Sequence, residues 1–189
     1  INVSLALSLA GAMLSADAVL ALSAEERTKL AEGFYNDTYL MDQNACSSPH
    51  LICWLGGEGA VKEAKAMFWE GGYGVSQKYD LADVKASEKY TLACIYAAKS
   101  IIADIRKYEN YLYIAELKGL PDDITGLRGK YGLFFEYAMQ DISDVLQKAT
   151  GKVQTCAVFG IEEREVLNAL IEYHVQGVDR IVEIGHTLD

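Results

Sequence analysis

Apolar residues along this chain form short continuous runs that alternate with stretches of helical spacing. The run at 50–55 predicts a buried strand, and the apolar positions that recur over 58–70 predict a helix. The last third repeats this order, with strands predicted at 133–138, 153–159 and 180–184 and helices at 141–149 and 162–174. Alternating strands and helices imply right-handed crossovers, so we predict an α/β fold with a mainly parallel sheet flanked by helices.

The first half of the chain is less regular. Apolar and small residues alternate over 1–9 and predict a strand, while Ser23 and Glu26 have the spacing of a capping box that opens a helix. Further predictions are a helix ended by glycines at 71–74, a long helical stretch at 80–106 broken at most once, and a strand at 111–115. No repeat, low-complexity tract or linker separates these elements, so we predict one domain over residues 1–189.

Charge and composition exclude several classes of function. The 27 acidic and 17 basic residues give a net charge of -10, which argues against a nucleic-acid-binding protein. Residues 1–22 are apolar, but no Lys or Arg precedes them and they include Asp17, so we predict neither a signal peptide nor a membrane span. The four cysteines form no C-x-x-C pair, so we expect no metal site and free thiols in a reducing cytoplasm.

One of the four cysteines stands apart from the others. Cys46 lies among small, turn-forming residues in the segment 42–49, directly before the apolar run. A reactive thiolate needs exposure and local positive potential, which free backbone amides provide. Cys53, Cys94 and Cys156 lie in apolar segments and are predicted to be core residues. From the residues alone, a small buried side chain beside a turn remains the alternative interpretation of Cys46.

Three histidines are available as a base if Cys46 is a nucleophile. His50 is too close to Cys46 in sequence to be well placed, and His174 lies near the end of a predicted helix, where its positive form suits the helix dipole. His186 follows the last predicted strand, where parallel-sheet proteins collect site residues. We therefore select His186. The glycine groups of the chain match neither the dinucleotide fingerprint nor the phosphate-binding loop.

Two segments carry a resemblance to a known family. The sequence DQNACSSP at 42–49, followed by an apolar strand, resembles the nucleophile segment of the long-chain acyl-CoA reductases of bacterial bioluminescence, the LuxC family. The sequence GVDRIVEIGHTLD at 177–189 is similar to the region where that family's chain returns to its nucleotide-binding part. Residues 133–159 are similar to a strand–helix–strand segment of the wider aldehyde dehydrogenase superfamily, so the resemblance covers 16–189.

The resemblance implies an aldehyde-dehydrogenase-like catalytic domain, with the nucleotide-binding domain largely absent from this chain. It implies that Cys46 takes the acyl group from a fatty acyl-CoA or another acyl carrier. NADPH, held by the domain that is absent here, then reduces the acyl-enzyme to a fatty aldehyde. The amide of Cys46 and the side chain of Asn44 are the local candidates for oxyanion donors. The superfamily's E-x-F-G-P cofactor motif is absent, and KYGLFF at 130–135 stands near its place.

Other expectations and alternatives accompany this interpretation. The full protein is expected to have an acyl-transferring partner and to form homo-oligomers, with a strand at 1–9 or 110–116 pairing between copies. One alternative is a different oxidoreductase of the same superfamily. A cysteine hydrolase is another, and it requires a histidine next to Cys46. A non-catalytic assembly domain is the third.

Overall fold

The computed structural model describes residues 9–149 and 151–189, and seven strands form one sheet within them. The strands are β1 (Leu9–Ser15), β2 (Pro49–Leu55), β3 (Ile102–Tyr108), β4 (Leu112–Leu117), β5 (Leu133–Met139), β6 (Val153–Phe159) and β7 (Arg180–Glu183). The helices are α1 (Ala16–Leu20), α2 (Ala24–Thr38), α3 (Glu58–Ser76), α4 (Asp83–Ala97), α5 (Ser143–Leu146) and α6 (Glu163–Glu172), and short 3₁₀ turns occupy Tyr39–Met41 and Ile124–Gly126.

The strand order across the sheet is β3-β4-β5-β2-β1-β6-β7. All neighbouring strands are parallel except β3 and β4, which form an antiparallel pair at one edge. The prediction of a mainly parallel sheet flanked by helices is therefore confirmed. The chain places β2 to β5 on one side of β1 and then crosses to the other side for β6 and β7, so β1 lies at the reversal of strand order.

Both faces of the sheet are covered by helices. In β1, Ala12 and Leu14 pack with α1, α2 and α3, whereas Met13 packs on the opposite face with α4, α5 and α6. Because the central strands are buried on both faces, their sequences are continuous apolar runs rather than alternating patterns. This explains why the run at 50–55 identified β2 without any alternation of polar residues.

The helix α2 begins as its capping box predicts. The Glu26 amide donates to Ser23 Oγ at 3.3 Å, and the Ser23 amide donates to Glu26 Oε2 at 2.8 Å. The reciprocal pair satisfies two amide groups that a helix start otherwise leaves unbonded. From this start α2 runs to Thr38, and the 3₁₀ turn Tyr39–Met41 then leads to the segment that contains Cys46.

The glycines at 71–74 do not end α3, which continues to Ser76. A Cβ on Gly71 would lie 3.5 Å from the Ala31 Cβ of α2, so small residues let the two helices approach closely here. Tertiary packing against α2 outweighs the roughly 1 kcal/mol preference of each glycine for a non-helical state.

Two other predicted elements differ from the structure, and a third is not tested by it. The predicted helix over 80–106 ends at Ala97, and its last part is strand β3, because Ile102 and Ile105 are β-branched and pair with β4. The helix predicted over 141–149 is only the single turn of α5. The strand predicted at 1–9 lies outside the described residues except for Leu9, which begins β1.

The segment 110–116 is not a free edge, because β4 lies between β3 and β5. Its predicted pairing between copies is therefore wrong, and the edges of the sheet are β3 and β7. None of the helices in the described part of the chain is long and apolar enough to cross a membrane.

Candidate active site

Cys46 lies in a loop before the amino-terminal end of β2, and it is exposed. The loop leaves the 3₁₀ turn Tyr39–Met41 through two consecutive residues in the left-handed region, Asp42 at φ 55° and Gln43 at φ 60°. Residues other than glycine rarely adopt this backbone conformation, and it persists only where surrounding contacts hold it.

Gln43 supplies the first of these contacts. Its side chain is fully buried, and its Nε2 donates to the carbonyl oxygens of Pro49 at 3.2 Å and Leu133 at 3.0 Å. Its Oε1 accepts from the Gly132 amide at 3.1 Å. One amide group thus joins the loop to the first residues of both β2 and β5. The residue pattern alone did not indicate Gln43, although its place in the polar run before β2 is visible in the sequence.

Ser48 supplies the second contact, on the other side of Cys46. Its buried hydroxyl donates to the Asp37 carbonyl oxygen at 2.8 Å, and its amide donates to the Ala45 carbonyl at 3.1 Å. Cys46 therefore lies between two fixed points. Within residues 9–149 and 151–189, the thiol of Cys46 makes no hydrogen bond, and the main-chain amides of Cys46 and Ser47 make none either.

Asn44 lies in the same loop, two residues before Cys46, and it is exposed. Its amide donates to the Met41 carbonyl at 2.8 Å, which extends the turn. The Asn44 side chain has no hydrogen bond among the described residues, so it is free to meet a ligand. Its role as an oxyanion donor stays a prediction.

His186 follows β7 in a turn that is held by Asp37. The buried Asp37 carboxylate accepts from the amides of Gly185 at 2.6 Å and Thr187 at 3.0 Å. Burial raises the pKa of Asp37, and the two amides partly offset that rise. Because the Asp37 carbonyl also accepts from Ser48, the loop of Cys46 and the turn of His186 share this one residue as an anchor.

The imidazole of His186 is exposed and pairs with Asp189, whose Oδ2 lies 2.6 Å from its Nδ1. The hydrogen bond and the charge of Asp189 raise the pKa of His186. No hydrogen bond joins His186 to Cys46 within the part of the chain that the structure describes. Asp37 therefore holds both the loop of Cys46 and the turn of His186, but the side chains of Cys46 and His186 do not bond to each other. The role of His186 stays a prediction.

His50, the nearest histidine in sequence, is buried. Its Nδ1 accepts from the Gly129 amide at 3.1 Å, which assigns its proton to Nε2, a buried atom without a partner. Burial, together with the charge of Arg128, lowers the pKa of His50 to about 3. Since its one acceptor nitrogen is already bonded, His50 does not serve as a base for Cys46.

A third set of contacts holds Asp42, the residue before Gln43. Its carboxylate accepts from Lys85 Nζ at 2.8 Å and from the Tyr79 hydroxyl, and its carbonyl accepts from the Tyr131 amide at 3.4 Å. Burial raises the pKa of Asp42, but the hydrogen bonds from Lys85 and Tyr79 outweigh it and hold the pKa below its ordinary value. Asp42 is therefore charged, and Lys85 neutralises that charge beside the loop.

The other three cysteines differ from one another. Cys53 and Cys156 are buried core residues, and burial raises the pKa of Cys53 above its ordinary range and that of Cys156 to about 12. Cys94 is exposed on α4, so its predicted place in the core is wrong. It lies on the outer face of the helix, next to Ile95, which is also exposed. Because Cys94 is also an exposed free thiol, its reactivity is an internal control for the reactivity of Cys46.

Cofactor and metal sites are not evident in residues 9–149 and 151–189. No cluster of three or more His, Cys, Asp or Glu side chains occurs there that could hold a metal ion. A cavity of about 590 Å³ at the amino end of α3 is lined by Lys65 and Arg106. Lys65 pairs with Glu116 at 3.1 Å and Glu136 at 3.5 Å, and Arg106 also pairs with Glu136. Carboxylates therefore neutralise Lys65 and Arg106, whereas Lys62, which also lines the cavity, is exposed.

A second cavity, of about 910 Å³, lies between α6 and β7. Its walls combine apolar side chains such as Phe159 and Leu167 with the carboxylates of Glu162 and Glu183. It does not border the Cys46 loop, and its lining also includes the guanidinium of Arg164.

Comparison with known proteins gives the fold but no family. No protein-family model matches the chain, and no curated protein matches its sequence. Among solved structures, it is similar to a mutant of 1-pyrroline-5-carboxylate dehydrogenase from Thermus thermophilus, with a TM-score of 0.56 and 14% identity over 94% of this chain and 36% of that chain.

Two further structures agree. The Delta-pyrroline-5-carboxylate dehydrogenase of Mycobacterium tuberculosis, bound with NAD and cobalamin, has a TM-score of 0.58 and 12% identity over 93% of this chain and 35% of that chain. The NAD-dependent aldehyde dehydrogenase of Sinorhizobium meliloti has a TM-score of 0.56 and 10% identity over 93% of this chain and 36% of that chain. The chain thus spans about a third of the length of these structures, and at such identities the likeness concerns the fold.

Proposed function

We propose that this chain, which has the fold found in aldehyde dehydrogenases, is the nucleophile-bearing part of a reductase that converts a fatty acyl-CoA or other acyl thioester to a fatty aldehyde. The observation that carries the proposal is the state of Cys46. Its thiol is exposed on a loop that is fixed on both sides, and the amides of Cys46 and Ser47 are unbonded within the described residues.

The first half of the reaction uses this chain's own groups. The Cys46 thiolate attacks the thioester carbonyl, forming a carbon–sulfur bond and a tetrahedral oxyanion. We expect the unbonded amides of Cys46 and Ser47 and the side chain of Asn44 to stabilise that oxyanion. Collapse breaks the bond to the CoA sulfur, CoA leaves as a thiolate that takes a proton from water, and the acyl group remains on Cys46.

The second half, reduction to the aldehyde, needs a hydride donor, which we expect to be NADPH. We assign no step of this half to the residues of this chain. The proposal also includes an acyl carrier or acyl-transferring partner protein, homo-oligomerisation and a cytoplasmic location. The catalytic domain is taken to span 1–189, with the nucleotide-binding domain elsewhere.

Release of CoA tests the proposal without the hydride donor. Mixing the chain with excess long-chain acyl-CoA is expected to release about one CoA per chain in a single burst, because an acyl-enzyme accumulates when no reductant follows. Cys46→Ala should abolish the burst, and Cys94→Ala, which removes the other exposed thiol, should leave it intact. A burst that persists in Cys46→Ala contradicts the assignment of the nucleophile.

A second function of the same superfamily, oxidation of an aldehyde, is favoured by the names of the similar structures. Those names include pyrroline-5-carboxylate dehydrogenases and an NAD-dependent aldehyde dehydrogenase. This function predicts that the full protein forms acid from aldehyde and NAD⁺. A cysteine hydrolase is less well supported, because neither His50 nor His186 bonds to Cys46. An assembly domain would leave Cys46 no more reactive than Cys94.

A further inference from the structure

The side-chain amide of Gln43 makes hydrogen bonds of the kind that main-chain groups make elsewhere in the sheet. Strands β2 and β5 pair from Leu51 and Phe135 onward. Two residues earlier in each strand, the carbonyl oxygens of Pro49 and Leu133 both accept hydrogen bonds from the side-chain Nε2 of Gln43. The side chain therefore extends the hydrogen bonding between two strands to the point where the loop of Cys46 joins β2.

The backbone of Gln43 is held as firmly as its side chain. Its main-chain amide donates to the Thr38 carbonyl at 2.7 Å, and its φ of 60° turns the chain sharply away from α2. A non-glycine residue in this conformation costs roughly 1–3 kcal/mol, which the three side-chain hydrogen bonds are well placed to offset. Loss of the side-chain bonds would leave the strained backbone without support.

We propose that Gln43 is a positioning residue for the Cys46 reaction: it fixes the loop so that the thiol and the unbonded amides of Cys46 and Ser47 meet one carbonyl group together. The inference rests on the proposed function for its choice of nucleophile. Gln43 does not touch the substrate in this account. It acts through the loop, because Cys46 lies between Gln43 on one side and the Ser48–Asp37 hydrogen bond on the other.

Two reagents separate positioning from mere exposure of the thiol. Iodoacetamide alkylates a thiolate without forming an oxyanion, so its rate reports exposure and ionisation of Cys46. With p-nitrophenyl acetate, the thiolate attacks the ester carbonyl, an oxyanion forms, and p-nitrophenolate leaves as the thioester forms. Only this second reaction gains from amides aligned with the thiol. The ratio of the two rates therefore measures alignment.

Gln43→Met removes the side-chain amide with little change of volume. It is prepared together with Cys94→Ala, so that Cys46 is the exposed thiol that reacts. We expect the acylation rate to fall about tenfold or more, since small misplacements of reacting groups cost that much. The alkylation rate should change less than about threefold, because the thiol stays exposed. Gln147→Met, at an exposed glutamine after α5, is the matched control and should change neither rate.

Three results would overturn the proposal. The first is acylation at the wild-type rate in Gln43→Met, and the second is an equal fall of both rates, which indicates that Gln43 affects the exposure or ionisation of the thiol and not its alignment with the amides. The third comes from two variants that keep Gln43. If the ratio of the acylation rate to the alkylation rate at Cys46, measured in Cys94→Ala, is no higher than the ratio at Cys94, measured in Cys46→Ala, the loop confers no alignment. If Gln43→Met does not fold, hydrogen exchange in the unaltered protein decides, because a rapidly exchanging Gly132 amide contradicts the bond to Gln43.

This test is independent of the acyl-CoA proposal, because p-nitrophenyl acetate needs no CoA-binding surface. A chain that reacts with the ester through Cys46 but releases no CoA from acyl-CoA keeps the role of Gln43 and loses the proposed substrate class.

Discussion

At the scale of single residues, the polar side chains that organise this protein are buried in segments with an apolar pattern. Glu136 lies inside β5, with no exposed surface, and accepts from Trp69 Nε1 at 2.9 Å while pairing with Arg106 and Lys65. Lys89 is also fully buried, and its Nζ donates to three main-chain carbonyls, at Asn110, Tyr111 and Tyr131.

The apolar run around Glu136 predicts strand β5, but it does not indicate which polar group finds a partner. Each partner is brought by a distant element: Trp69 by α3 and Arg106 by β3. The same limit applies to Gln43, whose partners Gly132 and Leu133 belong to the start of β5.

His50 gives a prediction at this scale, because its pKa in the folded protein is about 3. A histidine in the unfolded chain titrates at roughly pH 6.5, so on acidification the unfolded chain binds its proton first. The stability contributed by His50 is present above about pH 6.5 and is lost as the pH falls toward 3, by up to about 1.4 kcal/mol per pH unit.

Urea unfolding between about pH 4 and 7 measures this effect. We expect the free energy of unfolding of His50→Gln to fall less steeply with acidification than that of the unaltered protein. His174→Gln, at an exposed histidine, should retain the original dependence. Parallel curves for His50→Gln and the unaltered protein would show that His50 is not a buried neutral group.

At the scale of elements, the sequence pattern predicts the interior strands well and the helix ends poorly. The runs at β2, β5 and β6 are recognisable because both faces of these strands are buried. The helix α3 passes through a glycine-rich stretch, and β3 begins where the helical spacing of the sequence continues. In both cases the deciding contact is with another element: α2 for the glycines and β4 for the strand.

For two glycines in helices, we predict that replacement by alanine changes the stability of the protein in opposite directions. A Cβ on Gly33 of α2 would lie 3.1 Å from the Cα of Gly185 and 3.4 Å from the Ile184 carbonyl oxygen, both main-chain atoms. A Cβ on Gly74 of α3 would meet nothing within 4 Å. Gly74→Ala should therefore stabilise the protein by about 0.5–1 kcal/mol, as alanine does in an open helix position.

Gly33→Ala should instead destabilise the protein by about 1–3 kcal/mol, because the turn at Gly185 must shift away from α2. Thermal or urea unfolding of both variants checks the pair. Stabilisation by Gly33→Ala of the same size as by Gly74→Ala would mean that α2 and the turn after β7 are not in contact. That contact also carries the Asp37 anchor, so its absence would separate His186 from the Cys46 loop.

At the scale of the whole molecule, the fold is similar to that of about a third of an aldehyde dehydrogenase chain, and its sheet brings together residues far apart in sequence. Gln43 meets Leu133, and Asp37 meets Thr187, across 90 and 150 positions of the chain. The resemblance of the segment 42–49 to a nucleophile segment made Cys46 the candidate nucleophile, but the anchors of its loop belong to α2, β5 and the turn after β7. Those contacts follow from strand order and could not be predicted from local pattern.

The central claim is that Cys46 accepts an acyl group from a thioester, and peptide-level mass spectrometry tests it most directly. After incubation with long-chain acyl-CoA and digestion without reducing thiols, we predict that the acyl mass is found on the peptide that contains Cys46, and that hydroxylamine removes it. The peptide of Cys94, which is exposed but lies on a helix without an anchored loop, should remain unmodified. Equal acylation of the two peptides, or acylation of Cys94 alone, would contradict the account.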